Sequence, residues 1–188
     1  MPSLTSLTSL TSSAPARPVG IKVAAALAGA LIVAASAQVA IPVPGSLVPF
    51  TLQPLAVLIV GGLLGPRFGA LSLVMYLAMG AAGLPVFAPL GAPGIARLLG
   101  PTGGFLLAFP VAAAVTGLIA RTSYLSCLLA ALAGMVVIFA GGLAQLTIIS
   151  GPGNVGFMVT PLLLADLLKG LLAAVVIHRF ASRTRALT

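Results

Sequence analysis

Residues 158–177 read MVTPLLLADLLKGLLAAVVI. A helix that crosses a bilayer needs roughly 17–25 predominantly apolar residues, and this stretch has that length and character. It also contains Asp166, the only acidic residue of the chain, with Lys169 three positions later. On a helix such a pair is about 60° apart around the axis and one turn along it, so both side chains share a face. A charged residue at the centre of a spanning helix costs ~2.5–3.5 kcal/mol on insertion scales. Two ionisable groups there need a reason, either a self-neutralising ion pair inside a helix bundle or a polar ligand site. Asp166 falls ~12 Å below the expected helix start, a depth that suits a pocket entered from the outer face.

The rest of the chain agrees with a lipid-embedded reading. Of 188 residues, 60% are hydrophobic and only 5% charged. A soluble domain carries about 25% charged residues, so too little polar surface is present to cover a water-soluble core. The length predicts one membrane domain with the bilayer as its solvent. Five more apolar segments fall at about 23–41, 50–64, 68–82, 105–120 and 125–149, giving six spans. The second and third are short for full crossings and are expected to tilt or to pack inside the bundle. Breaks at Pro42, Pro44, Gly45 and Pro49, at Gly65-Pro66-Arg67 and at Gly151-Pro152-Gly153-Asn154 separate segments. The Gly- and Pro-rich stretch 83–104 is long for a connector and is a candidate binding loop or lid. Residues 1–20, with their Ser-Leu-Thr repeats, read as a disordered cytosolic tail rather than a signal peptide. Residues 21–178 form the membrane domain and 179–188 a basic cytosolic tail.

The net charge of +8 comes from basic residues scattered singly, with no basic stripe and no interleaved aromatics, which excludes nucleic acid as a partner. With six spans, Arg17, Lys22, Arg67, Arg121, Arg179, Arg183 and Arg185 all sort to one side. Cytoplasmic segments carry the Lys/Arg excess, so both termini are expected in the cytosol of a bacterial or archaeal cell, with the chain multi-pass in its membrane. Arg97 and Lys169 are left outside this pattern.

Enzymatic chemistry finds little to work with. The two lysines do not follow glycine, so no phosphate-binding P-loop is present. A single carboxylate makes neither a catalytic dyad nor a carboxylate metal cage. Cys127 and His178 are each alone, which excludes an internal disulfide and a metal site built on them. The chain is expected to be neither an enzyme nor a cofactor carrier.

Polar residues beside the two short spans are the other candidates. Arg97 lies in the 83–104 loop, either solvated or facing a carboxylate ligand. The segment Gly100-Pro101-Thr102-Gly103-Gly104 offers close backbone approach at a helix start, a setting that suits anions, with Gly103 as the candidate contact. Thr51 and Gln53 either bind a ligand or cap a helix. Phe50, Tyr76 and Phe87 supply apolar walls or ordinary packing. Asn154 caps a turn or reaches a pocket. Ala26, Ala30 and Ala34, at spacing four, make a smooth face for another helix, inside or outside the chain.

The words Val48-Pro49-Phe50-Thr51-Leu52-Gln53, Gly83-Leu84-Pro85-Val86-Phe87-Ala88 and Gly100-Pro101-Thr102-Gly103-Gly104-Phe105, with the late Asp166 and Lys169, resemble the BioY family. These are biotin-binding S-components of energy-coupling-factor (ECF) transporters. The resemblance runs from about residue 20 to 180. It implies a six-helix S-component fold that captures biotin at the outer face, with a transmembrane coupling protein and two cytosolic ATPases as partners. It also implies ligand contacts at Asp166, Lys169 and the loop Arg97, and a coupling-protein contact at Ala26, Ala30 and Ala34. Phe105 departs from the family, which often has Tyr there. The segment Pro89-Leu90-Gly91-Ala92 is less polar than is usual. Biotin suits the residues: its carboxylate wants a cation, Lys169 or Arg97, and its ureido N–H groups want an acceptor, Asp166. The alternatives are a self-sufficient ion-coupled transporter of a small carboxylate using Asp166, a structural subunit with a buried ion pair, and an S-component for another vitamin.

Overall fold

A computed structural model of the chain describes residues 19–184. The expected N-terminal tail therefore lies almost wholly outside the described residues. Arg17, Arg183 and Arg185 fall outside those whose side chains are described.

Six helices follow one another: α1 (Val19–Ala37), α2 (Gln53–Ala81), α3 (Ile95–Leu99), α4 (Gly103–Ile119), α5 (Tyr124–Ser150) and α6 (Pro152–Thr184). Between α1 and α2 a two-residue strand β1 (Ala40–Ile41) pairs antiparallel with β2 (Phe50–Thr51), Ala40 opposite Thr51. The hydropathy reading did not foresee this pair.

By length alone α2 would make one crossing, but it is not a straight rod. Gly65 has φ 75° and ψ 177°, outside the helical region, and Pro66 follows it. A Cβ placed on Gly69 would lie 2.8 Å from the Cα of Gly61. Eight residues along a straight helix span ~12 Å, so the chain has reversed. The Gln53 amide likewise donates to the Tyr76 hydroxyl at 2.7 Å across the same hairpin. Residues 53–64 and 66–81 are thus the second and third expected segments, and all six expected segments are present. Each half rises only ~18–24 Å, short of a ~30 Å hydrocarbon core. They compensate by lying among other helices: α2 touches α1, α4, α5 and α6. The short helix α3 is additional and lies within the long 83–104 connection.

Lipid gives apolar helices no hydrophobic reason to associate, so close backbone approach through small residues must hold them together. Gly61 meets the backbone of Ala113 on α4, Gly104 meets that of Gly141 on α5, and Gly62 receives Ile177 of α6. The outer faces carry exposed Leu31, Ile32, Val136, Ile148, Leu164 and Leu168, an apolar girdle facing lipid.

The small-residue face of α1 is turned the other way from the expected partner-binding role. Ala26, Ala30 and Ala34 belong to its buried stripe with Gly29, Val33 and Ala37. Ala26 and Ala30 are fully buried. The stripe packs on α2, where a Cβ on Gly29 would come within 2.7 Å of the Ser72 hydroxyl. The expectation of a coupling-protein contact at these three alanines is corrected: inside the bundle their small size serves α1–α2 packing. Ala30→Trp is accordingly expected to destabilise the protein by about 1–3 kcal/mol or more through overpacking. Ligand binding and thermal stability in detergent should fall together, and a variant with a wild-type melting midpoint would contradict the packing.

Apart from Arg97 and Lys169, the basic side chains described gather at one end. The Lys22 ammonium lies 5.7 Å from the Phe68 ring centroid, joining the start of α1 to the α2 reversal. His178 Nδ1 is 2.9 Å from the Thr122 carbonyl, joining the end of α6 to the α4–α5 turn. Arg67 and Arg121 are exposed at those two turns. The basic tail expected from residue 179 is in its first part helical, because α6 runs through to Thr184.

Candidate functional site

A cavity lies at the other end of the bundle. Six polar side chains line it: Thr51, Gln53, Arg97, Thr102, Asp166 and Lys169. Its walls are apolar, from Val48, Pro49 and Phe50 of the β1–β2 loop and β2, Phe105, Leu106 and Phe109 of α4, Ile138 of α5 and Leu162 of α6. Few polar groups in a mostly apolar chamber are what a small-molecule site requires.

The α6 contribution follows from helical periodicity. Val155, Val159, Leu162, Asp166, Lys169 and Ala173 recur every three or four residues and are all buried, so the two charged groups fall on the inner stripe. Lys169 Nζ lies 2.5 Å from Asp166 Oδ1. The same ammonium lies 3.7 Å from the centroid of the Phe50 ring, a cation–π contact that ties α6 to the β2 strand over the cavity. Because α6 begins at Pro152 rather than near Met158, Asp166 lies ~21 Å along it, deeper than the expected ~12 Å.

Thr51 and Gln53 both line the cavity and build the entry to α2. The Thr51 hydroxyl donates to Gln53 Oε1 at 3.3 Å and accepts the Gln53 backbone N–H at 3.4 Å. Gln53 in turn donates to Tyr76, which holds its amide in place. Tyr76 and Phe87 themselves stand behind the wall, and their expected role as cavity lining is corrected. They pack edge to face with centroids 5.4 Å apart, and the Phe87 ring fills the space that any side chain at Gly80 would need.

Arg97 is buried rather than solvated. Its guanidinium donates to the carbonyls of Ala88 and Leu90, drawing the 88–91 turn against α3. Burial pulls its pKa below the ordinary value, with Tyr76 acting in the opposite sense. Five N–H donors exceed the needs of two carbonyls, and the side chain still lines the cavity. Gly103 does not line it. Its backbone packs beneath the Leu98 carbonyl, and the neighbouring Thr102 takes the position at the wall.

The model of the BioY family matches residues 9–186. The chain belongs to the BioY family. It is similar to the biotin transporter BioY of Thermotoga maritima, 38% identical over 145 residues covering 74% of this chain and 84% of the relative. The biotin transporter BioY of Rhodobacter capsulatus is 36% identical over 172 residues, covering 85% and 90% of the two chains. Among solved structures, the S-component for biotin from an ECF-type ABC transporter superposes with a TM-score of 0.76 at 25% identity, over 89% of this chain and 95% of that one. The six-helix S-component fold expected from the motifs is therefore the fold of this chain. As a BioY-family protein it is a multi-pass membrane protein, and its relatives are named as transporters rather than enzymes.

Gln145, a residue that builds the site, escaped the sequence reading. Gln145 of α5 donates to the carbonyls of Leu98 at 3.1 Å and Gly100 at 2.6 Å, fastening the end of α3. An amide near the end of an otherwise apolar span was its available signal. Asn154 instead bonds the Ser150 carbonyl at 2.8 Å, outside the cavity lining.

Proposed function

We propose that this chain is the membrane-embedded, biotin-binding subunit of a vitamin importer, energised by separate ATPases through a transmembrane coupling protein. The observation that carries the proposal is the convergence of Asp166, Lys169 and Arg97 on one apolar chamber in a BioY-family chain. Biotin has a carboxylate, a ureido ring with two N–H donors, and an otherwise apolar body. Asp166 accepts from the ureido group, Lys169 or Arg97 meets the carboxylate, and Phe50, Phe105 and Leu162 enclose the rest. The Lys169 ammonium already occupies one side of Asp166, which argues against a free carboxylate awaiting a proton or sodium ion.

The cavity end then faces outward and the basic end faces the cytosol, with both chain termini, in accord with the excess of Lys and Arg on cytoplasmic segments. Arg183→Cys should be labelled by membrane-impermeant thiol reagents only after cells are opened, and Cys127, being buried, should stay silent. Labelling of intact cells at residue 183 would reverse the topology.

The division of labour predicts that the purified chain hydrolyses no ATP, and that cells take up labelled biotin only when the chain is produced together with a coupling protein and ATPases. Uptake by the chain alone that collapses with the ion gradient would favour the self-sufficient transporter.

A further inference from the structure

The six polar side chains that line the cavity are not equally committed. Thr51 and Gln53 bond each other, and Gln53 bonds Tyr76. Arg97 holds two carbonyls, and Asp166 and Lys169 hold each other. The hydroxyl of Thr102 is buried and has no hydrogen-bond partner, one of two such side-chain atoms among the described residues; the other, on Ser150, is not part of the cavity lining.

The local backbone explains why. Thr102 precedes the first residue of α4, where a threonine hydroxyl ordinarily accepts a backbone N–H of the first turn. That bond requires an extended cap residue, but Thr102 has φ −92° and ψ −6°, and its side chain makes no cap bond. Its backbone carbonyl accepts the N–H of Leu106 at 3.2 Å, so the helix start is built without the hydroxyl. A buried hydroxyl left unpaired is unfavourable, and buried polar groups as a rule find partners. Thr102 lines the cavity, and a turn about its Cα–Cβ bond would present the hydroxyl to a molecule held there.

We propose that Thr102 is a specificity-determining residue of the site, its hydroxyl forming a hydrogen bond to a polar group of biotin. The inference rests on the biotin reading above and adds a contact to it. Thr102→Val keeps the shape and removes the hydroxyl, whereas Thr102→Ser keeps the hydroxyl.

The test is equilibrium binding of labelled biotin to each purified variant, with the melting midpoint of the ligand-free protein measured alongside. Thr102→Val should bind biotin about tenfold more weakly, the loss of one neutral hydrogen bond. Thr102→Ser should stay within about threefold of wild type, a fraction of that one bond. The ligand-free midpoint of Thr102→Val should equal or exceed that of wild type, because no bond within the protein is lost. Wild-type affinity in Thr102→Val overturns the proposal while leaving the biotin reading intact. A lowered ligand-free midpoint overturns it in favour of a structural role. Failure of the wild-type chain to bind biotin overturns the underlying reading, and the contact with it.

Discussion

Asp166→Asn is expected to lower biotin affinity tenfold to a hundredfold, and adding Lys169→Met is not expected to restore it. Asparagine keeps the shape of the side chain but loses the charged acceptor, and hydrogen bonds to charged groups contribute roughly 1.5–3 kcal/mol, or about that range in affinity. Lys169→Met keeps much of the stem and should weaken the recognition of biotin more than that of biotin amides. The double variant discriminates because the two groups are in contact at 2.5 Å. If they served only to neutralise each other, the costly state would be the lone buried charge left by a single change, and removing both would relieve it. Both instead line the cavity wall, where the proposed ligand would meet them. A double variant that folds and binds biotin with wild-type affinity would leave the structural ion pair as the better account.

Gly61→Leu is expected to remove most of the folded protein. A Cβ at Gly61 would lie 2.7 Å from the Cα of Ala113 and closer still to its carbonyl oxygen, so backbone rather than a flexible side chain stands in the way. Overpacking a site that can move costs about 1–3 kcal/mol, and a rigid helix crossing should exceed that. About 3 kcal/mol lowers the melting midpoint of a chain this size by roughly 10 °C. Gly156→Leu is the control, since nothing lies within 4 Å of the added Cβ. Size-exclusion profiles and melting midpoints in detergent would show the contrast. Equal behaviour of the two variants would mean that α2 and α4 do not cross at Gly61.

The six apolar segments were legible because a bilayer demands long unbroken hydrophobic runs and the breaks carry Gly and Pro. The fold of α2 on itself was only half legible. Gly65-Pro66 announced a break, but the contact of Gly61 with Gly69 needed three dimensions. The start of α6 was misplaced because Pro152 looked like a breaker. Proline is tolerated in the first helical turn, and the break is Gly151 alone, at φ 76°.

The alanine stripe of α1 shows a deeper limit. In water, apolar and small residues point inward. In lipid both sides of a helix are apolar, so Ala26, Ala30 and Ala34 did not declare whether they faced the bundle or a partner. Asp166 and Lys169 could be read as a candidate site because charge is expensive in lipid wherever it sits. Thr102 could not, because its significance is a missing bond, and bonds between distant segments are not written in local sequence.

The measurement that bears most directly on the central claim is equilibrium binding of labelled biotin to the purified, detergent-solubilised chain, without coupling protein or ATPases. Saturable binding at one site per chain is expected, weakened in Asp166→Asn and in Lys169→Met. Absence of saturable binding by a folded, monodisperse wild-type chain would contradict it.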